Sequence, residues 1–138
     1  MPTQRPPRYA FECEAQPQFV PEQSDPGQGL YTFAYTITVR NVGEVAAQLI
    51  SRHWTVVDGL GRTEEVKGLG VVGQQPLLRP GEAFQYTSGT RLRTATGVMR
   101  GSYFCVAEDG ERFETDIPAF VLDATGTAPP QSGFRHLH

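Results

Sequence analysis

Residues 30–41, LYTFAYTITVRN, alternate without a break. Tyr31, Phe33, Tyr35, Ile37 and Val39 fall on one side of an extended chain, and Thr32, Thr36, Thr38 and Arg40 on the other. A helix with 3.6 residues per turn would scatter the same apolar residues around its cylinder, so the period of two argues for a strand. β-Branched and aromatic side chains favour the same pleated surface. Such a strand has one wet face and one that must be covered, so a second layer is required.

The period recurs along the chain. YAFECEA sets Tyr9, Phe11, Cys13 and Ala15 against Ala10, Glu12 and Glu14. QFVPEQSDPGQG follows as a turn-rich loop. AAQLISRHWTVVD alternates less cleanly, which predicts a bulge or cover on both faces. TEEVKG is a short strand, and in AFQYTSG Phe84 and Tyr86 share a face. GVMRGSYFCVAEDGERFETDI predicts a hairpin turning at Asp109-Gly110, and PAFVL closes the domain. With 15 glycines and 11 prolines in 138 residues, and no amphipathic helix, the chain suits short strands joined by turns. The expected fold is all-β, a two-sheet antiparallel sandwich of about seven or eight strands. Residues 1–8 form an N-terminal arm, 9–123 the domain, and 124–138 a mobile tail.

A net charge of −3 argues against nucleic acid or an anionic membrane as partner. The balance is nonetheless uneven. Residues 47–101 hold seven basic residues against four acidic ones, and the remainder carries −6. The N-terminus lacks an apolar signal region, which places the protein in the cytoplasm. There Cys13 and Cys105, each on an alternating strand, are expected to be reduced core thiols.

One motif invites a chemical reading. Gly68, Gly70 and Gly73 are spaced G-x-G-x-x-G, as in dinucleotide-binding loops. In those folds a helix follows and offers its free N–H groups to pyrophosphate. Here Pro76 and Pro80-Gly81 leave no room for one. The glycines are better read as allowing positive φ and close packing in a long turn. An anion-binding nest of backbone N–H groups remains the alternative, with Arg79, Arg91 or Arg93 supplementing it. The loop's Leu69, Val71, Val72, Leu77 and Leu78 must either fold back onto the sandwich or form a sticky patch.

Other chemistry is thinly represented. Ser51, His53, Asp58 and Ser88 supply triad types without an elbow or oxyanion motif. Glu64-Glu65 point apart on a strand, and Asp109 with Glu111 flank a turn. His136 and His138 form H-x-H, two imidazoles with no identifiable third ligand. Trp54 is read as core; exposed among arginines it would be an interaction hot spot.

Four segments together resemble the ApaG family: FAYTITVRNVG, QLISRHWTVVDGLGR, VKGLGVVGQQPLLRPGEAFQYTSG and GVMRGSYFCVAEDGERFETDIPAF. The likeness runs from about Tyr9 to the closing LH. LRTATGVM departs from it, with Ala95 where the family often has proline. The resemblance implies a fibronectin type III-like sandwich in a cytoplasmic bacterial protein. It also implies a gene near those for diadenosine polyphosphate hydrolysis and RNA adenine methylation, and a link to cobalt resistance and magnesium efflux. Related domains in F-box proteins and in a DNA polymerase delta-interacting protein look like protein-interaction modules. No catalytic residues carry over.

The expectation is therefore a non-enzymatic binding module for a protein partner, without a cofactor. The alternatives are a small-anion or nucleotide sensor, for diadenosine polyphosphate or pyrophosphate, using the glycine loop, and then a divalent-metal binder. Self-association is not readable from the chain.

Overall fold

The computed structural model describes residues 7–126. Eight strands are joined by turns: β1 (Phe11–Phe19), β2 (Tyr31–Asn41), β3 (Ala47–Asp58), β4 (Thr63–Leu69), β5 (Leu77–Leu78), β6 (Ala83–Leu92), β7 (Thr96–Ala107) and β8 (Arg112–Asp123). The helical segments among the described residues are two single 3-10 turns, Pro21–Gln23 and Pro26–Gln28. One sheet has the order β1-β2-β6 and the other β4-β3-β7-β8, with β5 paired to β3 beyond the end of β4. All pairings are antiparallel. This is the expected two-sheet, fibronectin type III-like sandwich.

The alternation in β2 does what its pattern requires. Phe33, Tyr35, Ile37 and Val39 are buried between the sheets, and the threonines face out. Trp54 from β3 meets them from the opposite sheet and is core. Its ring lies 5.3 Å from Tyr35 and 5.9 Å from Phe120, edge-on to both. Asn41 ends β2 fully buried. Its amide donates to the carbonyls of Val45 and Leu78, and its Oδ1 accepts the N–H of Gly43. One side chain thereby ties the β2–β3 turn to β5.

Two strands, β1 and β8, differ from the sequence reading, and β3 bears out its interruption. β1 begins at Phe11 and runs through Pro17 to Phe19, into residues expected to be loop. The Val20 N–H donates to Thr32 and the Val42 N–H to Ala10, so even-numbered β1 residues bond to β2. Pro17 is odd and turns its nitrogen outward at a sheet edge, where no ladder bond is lost. β3 carries the anticipated bulge, with Ile50 as the extra residue between Leu49 and Ser51. PAFVL is not a separate strand. It continues β8 past an irregularity that skips Arg100 on β7 and Pro118-Ala119 on β8.

Cys13 and Cys105 are both free, as expected, and come from opposite sheets. Cys105 is fully buried and Cys13 half-buried. Desolvation pushes each thiol up to about 12.

Candidate functional site

The glycine segment closes a loop that runs from the end of β4 back to β3. Val71 and Gln74 exchange backbone hydrogen bonds of 2.8 and 2.9 Å. Between them Val72 and Gly73 both have positive φ, 44° and 81°, as a tight type I′ turn demands. Three of the hydrogen bonds that fasten the loop to β3 hold its second half. Leu49 N–H donates to Pro76, Gln48 Nε2 to Gln75, and Gln75 Nε2 to Ile50.

Each glycine has a distinct steric duty. Gly68 lies in β4, opposite Arg52. A Cβ there would sit 2.8 Å from the Arg52 guanidinium carbon. Gly70 has φ 64°, and a Cβ would collide with the Gln74 carbonyl. Gly73 needs only its left-handed φ, with open space around it.

The hydrogen-bond directions argue against a nest in this loop. The N–H of Gly70 donates to Ile50, that of Val71 to Gln74, and that of Gln74 to Val71. Arg52 Nη1 donates to the carbonyls of Leu69 and Gly70, 2.9 Å each. The loop therefore presents oxygens to an arginine. The sequence reading did not single out Arg52, because only the β3–β4 register places it over Gly68.

The other candidates are not brought to the loop. Arg79 is exposed on the turn before β6, where its N–H donates to Glu82. Arg91 and Arg93 border a cleft of about 250 Å³ with Asp58, Arg62 and Glu64, at the far end of β4. Burial works against the Asp58 charge there. Hydrogen bonds from the Arg62 backbone and side chain and from the Leu60 N–H outweigh it and hold the carboxyl below its usual range.

The triad types are likewise dispersed. Ser51 and His53 lie on the outer face of β3, but Ser88 is in the other sheet and Asp58 is held by Arg62. His53 pairs with Glu65 across the β3–β4 ladder, 3.2 Å apart. Among the described residues no group of three or more His, Cys, Asp or Glu is arranged to hold a metal ion, and His136 and His138 lie outside them.

Two hollows flank the loop. One, of about 290 Å³, opens between the sheets and is lined by Tyr35, Arg52, Trp54, Tyr86, Ser88 and the Val72 tip. Of its lining residues, Tyr86 hydrogen-bonds through its hydroxyl to that of the buried Tyr103, and burial pushes both phenols up. The second, of about 400 Å³, lies on the outer face of the larger sheet, beside Leu69, His53, Lys67 and Phe104.

Aliphatic residues divide between the two fates open to them. Val71 and Leu78 fold inward, at 0% and 4% exposure. Leu69, Val72 and Leu77 stay out, at 74%, 52% and 57%. Three of the five large hydrophobics exposed among the described residues thus fall within nine residues of this loop.

These features define a fibronectin type III-like sandwich with a glycine hairpin between two hollows and an apolar rim. The chain belongs to the ApaG family: the ApaG domain model matches residues 21–107. It is 64% identical over 126 residues to Protein ApaG of Acidovorax sp. (strain JS42), covering 90% of this chain and 92% of that one. Protein ApaG of Dechloromonas aromatica (strain RCB) is 62% identical over 115 residues, 83% of this chain and 91% of its own. The crystal structure of the ApaA protein from Bordetella pertussis superposes with a TM-score of 0.87 at 53% identity, covering 89% of this chain and all of that one. No helix among the described residues is long and apolar enough to cross a membrane.

Proposed function

We propose that this domain is a non-enzymatic docking module of the cytoplasm that recognises another protein through the rim of its glycine hairpin. The observation that carries this is the exposure of Leu69, Val72 and Leu77 around a loop whose Gly70, Val71 and Gln74 N–H groups and Leu69 and Gly70 carbonyls are bonded within the protein. An exposed β-branched residue at positive φ is strained by roughly 1–3 kcal/mol, and strain at a surface tip concentrates at binding sites. The link to cobalt resistance and magnesium efflux that the family resemblance implies is then exerted through a partner. The anion-sensor alternative has less support, because the N–H groups of Gly70, Val71 and Gln74 are already bonded within the protein.

The test compares the protein with a variant carrying Leu69→Ser, Val72→Asn and Leu77→Ser as baits in native lysate, both checked for fold by circular dichroism. Partners retained by the first and lost by the second are expected; equal recovery overturns the reading. Calorimetry with ATP, diadenosine tetraphosphate and pyrophosphate should find affinities no better than about millimolar. A micromolar constant would promote the sensor instead.

A further inference from the structure

We infer that two copies of this chain pair edge to edge through β4, in an antiparallel register centred on Val66 that joins the two larger sheets into one. The inference is independent of what docks at the glycine hairpin. It rests on the hydrogen-bonding direction of β4 and on the order of its charges.

β4 is the outer strand of its sheet and is exposed almost throughout. At its two ends Gly70 N–H donates to Ile50 and Asp58 N–H donates to Arg62. Both bonds belong to the β3–β4 register, in which Trp54 faces Val66. Even-numbered residues of β4 are therefore the ones bonded to β3. The N–H and C=O groups of Thr63, Glu65 and Lys67 therefore point away from the sheet, as does the Leu69 N–H; the Leu69 carbonyl already accepts from Arg52 Nη1. A second antiparallel strand can bond to them only if odd residues oppose odd residues.

Three such self-pairings lie near the middle of the strand, and charge separates them. Centred on Glu65, the pairing sets Glu65 against its own copy. Centred on Lys67, it sets two lysines together. Centred on Val66, it sets Glu65 against Lys67 of the other copy, twice by symmetry. It also uses the whole strand, because Thr63–Leu69 is symmetric about Val66. Thr63 then faces Leu69 and Lys67 faces Glu65, so every outward-pointing group of each copy is matched, the Leu69 carbonyl sharing its two lone pairs between Arg52 and the other copy.

The even residues fit the same register. Val66, 37% exposed, meets its own copy as a close non-hydrogen-bonded pair. Glu64 comes opposite Gly68, where the Arg52 guanidinium fills the space a Cβ would occupy. A carboxylate thus arrives over an arginine that has no acidic partner among the described residues. Charged residues on an edge strand ordinarily discourage pairing. Here their order discourages the shifted registers and permits one.

The experiment uses the full chain and two single charge reversals, Glu65→Lys and Lys67→Glu. Each variant alone opposes like charges at both symmetric pairs. Mixed one to one, they restore a Glu–Lys pair at both places. Sedimentation equilibrium from about 10 μM to about 1 mM covers the weak range of an interface under about 1,200 Å². The wild type is expected to dimerise, each variant alone to associate at least about tenfold more weakly, and the mixture to recover wild-type affinity as a heterodimer. Circular dichroism confirms that the exposed substitutions leave the fold intact. A wild type that stays monomeric across the range, single variants that dimerise as well as wild type, or a mixture that fails to associate would each overturn the pairing.

Discussion

Val72 stands in a conformation that a β-branched residue rarely adopts, with φ 44° beside Gly73 at 81°. The type I′ turn they form favours asparagine followed by glycine. Val72→Asn is therefore expected to stabilise the protein by about 1 kcal/mol, a rise in melting temperature of about 3–6 °C. If Val72 serves docking, the same change raises stability while weakening partner capture. The neighbouring glycines should respond unequally. Gly70→Ala meets both a forbidden φ and the Gln74 carbonyl, whereas Gly73→Ala meets only the φ. Roughly 3 kcal/mol against roughly 1 kcal/mol is expected from denaturant midpoints. Equal losses would show that the Gln74 carbonyl yields freely. The G-x-G-x-x-G spacing was visible in the sequence, and so was its conflict with the prolines that follow. What each glycine does depends on Arg52 and Gln74, which spacing alone does not bring near.

Strands were legible where one face is wet and the other dry, as in β2, and less so where the ladder is interrupted. An internal proline usually ends a strand, and the sequence reading stops the first strand at Ala15, two residues before Pro17. The rule lapses at an edge, and edges follow from strand order. Pro118 hid the continuity of β8 in the same way: two residues of β8 oppose one of β7 at the irregularity. Gly101 sits beside it, packed so closely that a Cβ would strike the His53 carbonyl and lie 2.9 Å from the Trp54 ring. Gly101→Ala is expected to cost about 2–4 kcal/mol, because backbone and a core indole must both shift. A urea midpoint within error of wild type would mean that β7 slides along β3 at little cost. β5 was not foreseen at all. Two residues carry no period, and its place is set by the Ala47–Leu78 pairing and by the Asn41 amide.

For the molecule as a whole, period-two patterning was enough to require two layers, and the apolar face of β2 and Trp54 of β3 lie in the core as expected. Which strands stand at the edges, and hence which backbone groups face water, depends on pairing that a single chain does not spell out. The two thiols test the packing between the layers. Cys13 comes from β1 and Cys105 from β7, so both report on the same inter-sheet space from opposite sides. Burial raises each from an ordinary 9.0 to about 12. For a group raised on folding, the unfolded chain releases its proton first. The stabilisation is thus complete below pH 9 and is lost as pH rises toward 12. Tyr86 and Tyr103 are raised in the same direction from 10.0 and add to the loss above that pH. In the window from pH 9 to 10 the thiols lead and the phenols follow, and each thiol steepens the fall by up to about 1.4 kcal/mol per pH unit. Cys13→Ala and Cys105→Ala should each flatten that slope by one thiol's share, whatever they cost at neutral pH. Urea titrations at intervals through this window measure the slope directly. If removing Cys105 leaves it unchanged, the thiol ionises as readily in the folded protein as in the unfolded chain, and the sheets are not packed against it as described.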